Sequence, residues 1–364
     1  MQRRKLFFVL ATIGALLVSA PFVYRYIAGP SDPILPSTAE YFPVQDPATG
    51  KWGFIDNEGN AVTPMVFDWA GDYRQGLGLA ESNGAMGYID VTFSETGKWA
   101  ITPRFEVRDE GDISAYSFFD GRALARDDSG KWGYIDTTGQ WVIEPTYGEA
   151  RDYAGLPVGE FSDGLAWFQF VEMRERNKLD KNDEFVRDVE GKLVKESYPR
   201  RTVGYIDRKG KVVIEPRYEM AHDFGEGLAA VRIKSQDSWG FIDKDDHRVI
   251  SPQFHEVSRF SEGLCAVAIN GEWGYIDPDG EEVINRRFAE ARHFSEGIAA
   301  VREGDKWGYI DAQGQWAIAP TYDDFEDYNH PGDPRPFENG LARVTLDGEA
   351  IYINRQGEQV WPKD

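Results

Sequence analysis

Apolar positions alternate with polar ones in short runs closed by Gly or Pro, and this pattern repeats from about residue 40 to the end of the chain. The run KWGYID stands at residues 131–136 and again, letter for letter, at 306–311. Within WGYID the Trp, Tyr and Asp side chains share one face and Gly and Ile the other, which is the period of a strand. Five full copies carry the same key residues: Trp52, Gly53 and Asp56; Trp132, Gly133 and Asp136; Trp239, Gly240 and Asp243; Trp273, Gly274 and Asp277; Trp307, Gly308 and Asp311. Two further copies put Met86 and Val203 in place of Trp, and a degenerate eighth lies at Ile351 to Asn354. Motif glycines are 34, 46, 71, 36, 34 and 34 residues apart, so the basic period is 34 with insertions.

The flanks repeat in step. An acidic-Gly turn introduces an apolar segment before the motif, as in SEGLCAV (261–267) and SEGIAAV (295–301), and an apolar run closed by Pro and an aromatic follows it, as in VIEPRY (213–218). Asp and Gly at the first and fourth positions, as in Asp136 to Gly139 and Asp277 to Gly280, are the signature of a type I turn. The motif strand therefore folds back on the next strand as a hairpin, and Pro, which cannot donate to the ladder, ends that strand. A Gly recurring within a strand predicts that another backbone or a ring lies close against it. Each unit is thus three short strands and too small to be stable alone. Four buried apolar side chains contribute roughly 6–12 kcal/mol, whereas ordering the backbone costs about 1 kcal/mol per residue. Stacking on neighbouring units must supply the difference.

These residues, WGYIDxxGxxVIxPxY followed by SEGLAAV, resemble the WG (or KWG) repeat of bacterial proteins over about residues 40–364. The resemblance implies an all-β repeat array, often exported or membrane-attached, with no shared enzymatic activity. Met86, Val203 and Arg286 (in place of Pro) depart from the pattern, and unit eight loses both Trp and Gly, as a capping repeat would. The array opens with a plausible first strand (Glu40 to Val44) and finishes after a third (Glu358 to Pro362). A propeller commonly locks its ring by sharing one blade between the chain ends. The expected fold is therefore all-β, eight three-stranded units of about 34 residues in an open, twisted β-solenoid, with a closed β-propeller as the alternative.

The amino terminus adds a different element. A basic flank, MQRRK, precedes 19 uncharged residues from Leu6 to Tyr24, enough to span a bilayer as a helix. A cleaved signal peptide is the alternative. Arg3, Arg4 and Lys5 outnumber Arg25, which puts the amino terminus in the cytoplasm and the repeat domain outside it. The expected organisation is an anchor at 1–28, a Pro- and Ser-rich linker at 29–39, and a repeat domain at 40–364 with a long insertion at 171–201.

Charge narrows the partners. The chain carries a net charge of -22, and beyond residue 29 there are 36 basic against 62 acidic residues, so nucleic acid and anionic membrane surfaces would repel the domain. The single Cys, Cys265, excludes an intrachain disulfide and reads as a small buried hydrophobe.

No HExxH, CxxC, GxSxG or P-loop pattern occurs, and His222, His247, His255, His293 and His330 fall at unrelated repeat positions. No catalytic residue, metal or cofactor is expected. Turn capping accounts for the repeated Asp better than a row of calcium ligands does, and packing accounts for the motif Trp better than glycan stacking does. The candidate binding surface is drawn from aromatics outside the motif, Trp69, Trp99, Trp167 and Trp316, with Tyr153 and His330 from insertions. Insertions are where function concentrates on a repeat scaffold. The largest, 171–201, is polar with both charge signs and reads as a solvated loop or short helix; shorter ones run over 106–117, 153–160 and 327–336. The expected function is a non-catalytic, membrane-anchored binding or scaffold protein engaging a protein or a cell-envelope glycan. A glycan-acting hydrolase with paired carboxylates, or a structural spacer, are the alternatives.

Overall fold

In unit six the strands Glu256–Ser261, Leu264–Ile269, Glu272–Ile276 and Glu282–Phe288 form one antiparallel sheet in chain order. The computed structural model describes residues 39–90, 92–107, 113–148, 156–179, 185–187, 190, 192–233, 237–324 and 335–362. Units five and seven repeat the same order. The unit therefore has four strands where the pattern showed three. The extra, innermost strand is only two residues long in those units, Met220–Ala221 and Glu290–Ala291, too short to carry a periodicity. The described strands group into seven sheets. The first holds both unit one and unit two, because Ala39–Gln45 pairs with Trp52–Ile55 on one side and with Trp69–Arg74 on the other.

Alternation along the motif strand decides how units stack. Trp273 and Tyr275 pack with Ile284 and Phe288 against Ala291 and Phe294 of unit seven. Ile276 points the other way, into a cluster with Trp239 and Phe241 of unit five. The same arrangement joins each unit to the next, and Leu341 and Tyr352 of unit eight close the circuit on Phe42, Val44 and Ile55 of unit one. The Tyr352 hydroxyl donates to the Pro43 carbonyl at 2.9 Å. The array is thus a closed ring, a β-propeller, and the expected open solenoid is wrong. The ends meet through side-chain packing, and the first strand serves two neighbours, so no shared blade was visible in the order of strand motifs.

The recurring Gly and Pro have one joint cause. A Cβ on Gly308 would lie 2.6 Å from the Ile318 carbonyl oxygen and 2.8 Å from the Pro320 nitrogen, so the close backbone is the unit's own last strand. That strand is bulged there: Trp307 and Tyr309 pair with Tyr322 and Ile318, so four residues are spanned against two. Pro320 sits inside the bulge, where no ladder donor is needed. The strand accordingly runs through the Pro to the aromatic, as in Trp316–Tyr322, rather than ending at it.

Most of the described part of the insertion at 171–201 is strand, in place of the expected loop or short helix. It prolongs the motif hairpin of unit four, with Leu165–Asn177 and Lys195–Asp207 paired in unbroken register. Both faces of this two-stranded ribbon meet solvent, which is why its sequence is polar; Met173 and Phe185 are nonetheless 63% and 60% exposed. No helix among the described residues is long and apolar enough to cross a membrane. The proposed anchor, and the linker up to residue 38, lie outside the described residues.

Candidate functional site on the ring axis

The innermost strand turns into the next through two residues that both have positive φ, Glu262 at 55° and Gly263 at 77° in unit six, the geometry of a type I′ hairpin. Just before the turn stands a buried aromatic, which meets the motif ring of the preceding unit. Tyr205 and Phe224 lie 4.8 Å apart, Tyr275 and Phe294 4.8 Å, Tyr309 and Phe337 4.9 Å, all edge-on. The motif hydroxyl also grips the strand two residues upstream of that aromatic: Tyr205 donates to the His222 carbonyl at 2.7 Å and Tyr275 to the Arg292 carbonyl at 2.8 Å. With the aromatic wedged between units, strand alternation turns the residue before it toward the axis.

That column is Asp72, Glu160, Asp223, Arg259, His293 and Pro336, and it lines a cavity of about 530 Å3. Unit three contributes Phe119 and Asp120 instead, and unit one contributes none of the described lining residues. Acidic turn residues latch the inner ends together. Asp120 accepts from the Gly164 N–H at 2.6 Å, Asp163 from Gly227 at 2.6 Å, Glu226 from Gly263 at 2.9 Å and Glu262 from Gly297 at 2.8 Å.

Charges in the cavity fall into a paired and an unpaired group. Arg74 donates to Glu338 at 2.6 Å and Arg335 to Asp72 at 2.7 Å. Burial opposes ionisation of Asp72, but the guanidiniums of Arg335 and Arg74 outweigh it and hold its carboxyl at about 2. Across the cavity, burial first, and then the negative charge of Asp223, push Glu160 up to about 8. Burial likewise pushes Asp223 up to about 6, against the pull of Arg259 and a hydrogen bond from the Trp167 indole. Asp223 Oδ1 is buried without a hydrogen-bond partner. His293 is pressed down to about 3 by burial and by Arg259, so it is neutral and its Nε2 accepts from Arg259 at 3.1 Å.

The residues singled out from sequence are not brought together. Trp69 packs in the cores around units one and two, and Trp99 stands edge-on to Phe67 and Phe93. Trp316 is 36% exposed on the flank of Phe288. Trp167 alone reaches the cavity, through Asp223. Tyr153 and His330 lie outside the described residues. The motif Trp are buried, Trp307 completely. The described ends of two short insertions, Glu160 and Arg335, do reach the cavity, because those insertions run into inner strands.

The carboxyls and guanidiniums of the axis were missed by sequence reading. A signal existed: in the aligned units the residue before the turn aromatic is ionisable at Asp72, Glu160, Asp223, Arg259 and His293. Among the described residues, Asp243, Asp245 and His247 form the one group with metal-ligand spacing. Asp243 Oδ1 already accepts from the backbone of Asp245 and His247, which is the turn capping its repeat position requires.

Comparison with known proteins agrees with the repeat reading. The family model of the WG-containing repeat matches residues 52–84, 132–156, 204–235, 239–273, 273–307 and 307–331, together about half of the chain. The chain belongs to the WG-containing repeat family. Curated proteins give no match to this WG-repeat protein. Among solved structures it is similar to dipeptidyl peptidase 4 of Porphyromonas gingivalis, with 11% identity and a TM-score of 0.49 over 93% of this chain and 60% of the peptidase. BamB of Moraxella catarrhalis is similar at 11% identity and a TM-score of 0.38, over 92% of this chain and 96% of BamB. A streptogramin B lyase is similar at 12% identity and a TM-score of 0.38, over 88% and 94%. The chain spans about 60% of the length of the peptidase. These likenesses are distant, and the reading of the WG-repeat ring rests on its own residues.

Proposed function

We propose that this WG-repeat protein is a non-catalytic binding module, tethered outside the cytoplasm by its amino-terminal segment, that receives its ligand in the axial cavity. The observation that carries this reading is the convergence of ionisable side chains from successive units on one space of about 530 Å3, within the size range of ligand sites. A repeat built only as a spacer has no reason to line one cavity with the half-buried carboxyls of Glu160 and Asp223, where Asp223 adds to the cost of ionising Glu160. The long hairpin of unit four supplies a second contact for a protein or envelope glycan, through exposed Met173 and Phe185. Residues 6–24 supply the tether.

A hydrolase is the second reading, favoured by one observation: a carboxyl held near 8 beside one near 6 is how a general acid and its partner are set apart. In that case Glu160→Gln loses turnover on a substrate while keeping its binding.

The test replaces Phe119, which lines the cavity, with a photoreactive phenylalanine analogue in the full-length membrane-borne protein. A defined adduct from position 119 is the expected result. Adducts formed only from an analogue at Phe185 on the hairpin, and none from 119, would overturn the axial site.

A further inference from the structure

Charge in the axial cavity does not balance. Six carboxyls and three guanidiniums line it. Four of the carboxyls are accounted for. Arg335 holds Asp72, Arg74 holds Glu338, and backbone N–H groups hold Asp120 and Asp163. Glu160 remains, and Asp223 has the Trp167 indole alone as a hydrogen-bond partner among the described residues. Asp223 Oδ1 has no partner, and among the described residues Glu160 makes no hydrogen bond. The third guanidinium, Arg259, is near enough to act on both carboxyls electrostatically, yet it bonds to His293 and forms no ion pair with either among the described residues.

We propose that this space takes a primary ammonium group, held between the carboxylates of Glu160 and Asp223. The inference rests on the reading of the axial cavity as a ligand site. A compact cation with three N–H donors matches two acceptor groups that repel each other when the space is empty of charge. Calcium fits less well, because it takes six to eight oxygen ligands, and any divalent ion would sit beside the fixed charge of Arg259. An anion would have to approach Glu160 and Asp223 to reach that same Arg259. The ammonium can belong to a free amine or to a lysine side chain of a polypeptide.

A proton is coupled to binding. Glu160 is faced by Asp223, Asp72, Arg74 and Arg259, and with that surrounding it is pushed up to about 8. An ammonium stabilises its ionised form, so binding at pH 7 expels the Glu160 proton into solution. His293, pressed down to about 3, stays neutral throughout this range. Affinity therefore rises with pH up to about 8, by roughly tenfold per unit between about pH 6 and 8, and more steeply below, where Asp223 takes up a proton as well.

The experiment is calorimetric titration of the detergent-solubilised full-length protein with cadaverine, with acetyl-lysine amide, with glutarate and with calcium, at pH 6 and pH 7. The expected result is binding of an amine, at least tenfold weaker at pH 6, with proton release at pH 7 read from buffers of different ionisation enthalpy. Glu160→Gln and Asp223→Asn each weaken it at least tenfold while melting as cooperatively as the parent. Cadaverine binding tighter than acetyl-lysine amide points to a free amine, and the reverse to a polypeptide side chain. Binding of glutarate alone or of calcium alone overturns the ammonium proposal. So does a photo-adduct from position 119 that no amine competes away, an outcome that leaves the cavity reading intact. If neither adduct nor amine binding is seen, both fall.

Discussion

Arg74 donates to Glu338 at 2.6 Å, although 264 residues separate them in the chain. Beside them Arg335 holds Asp72 at 2.7 Å, so two ion pairs bind unit two to unit eight at the inner edge of the ring. Side-chain exposures of 9% and 25% make the first pair largely desolvated. Arg74→Ala should cost about 3 kcal/mol, the low end for breaking a buried pair, because it strands the Glu338 charge, and Glu338→Ala should cost less, because Asp72 still faces Arg74 at 3.5 Å. The double variant should cost less than the sum, and a double-mutant cycle in urea checks this. Additive losses would mean that the ring does not close through this pair.

Stability should depend on pH through Glu160. Its folded value of about 8 lies above its ordinary 4.5, so the folded state binds its proton more tightly. Stability from this group is full below pH 4.5 and is lost as pH rises toward 8. Glu160→Gln should therefore melt higher than the parent at pH 8 and the same at pH 4. Asp72 has the opposite sign: held at about 2 against an ordinary 3.8, it stabilises above pH 3.8 and fails as pH falls toward 2. Thermal melts of Glu160→Gln and Asp72→Asn across pH separate the two.

The motif glycine is required by a close backbone. Gly308→Ala places its Cβ 2.6 Å from the Ile318 carbonyl oxygen and should cost about 2–3 kcal/mol by overpacking. Gly304→Ala, with φ at +61° and open space around the new Cβ, should cost about 1 kcal/mol from backbone strain alone. Equal losses at the two positions would contradict the steric account of the WG motif.

The acidic residue of the SEGLAAV turn should matter beyond its own unit. Glu262, at φ 55°, accepts from the Gly297 N–H of unit seven at 2.8 Å. Glu262→Ala keeps the strained backbone and loses the bond, for about 1 kcal/mol. Glu262→Gly loses the bond but relieves the strain, so it should be milder. Hydrogen exchange at the Gly297 amide should accelerate in both.

What could be read from the sequence was local. WGYID announced a strand with two different faces, and Trp273 and Ile276 do point to opposite neighbours. Asp277 and Gly280 announced a turn, and the Gly280 N–H does bond to the Asp277 carbonyl at 2.9 Å. Closure was not legible, because it depends on residues such as Tyr352 and Pro43 that no local pattern links. Nor was the site. Glu160 and Asp223 stand 63 positions apart in polar surroundings, and only the aromatic wedge after each, Phe161 and Phe224, turns both toward one axis. The long hairpin was misread because period-two patterning fades where both faces of a ribbon are wet.

The most direct test of the axial site is adduct yield from position 119 measured in three backgrounds: the parent, a form lacking the hairpin tip at 178–194, and the double variant Glu160→Gln with Asp223→Asn. The account predicts an unchanged yield without the hairpin tip and loss of the adduct in the double variant. A yield that vanishes with the hairpin and survives the loss of both carboxyls would contradict it.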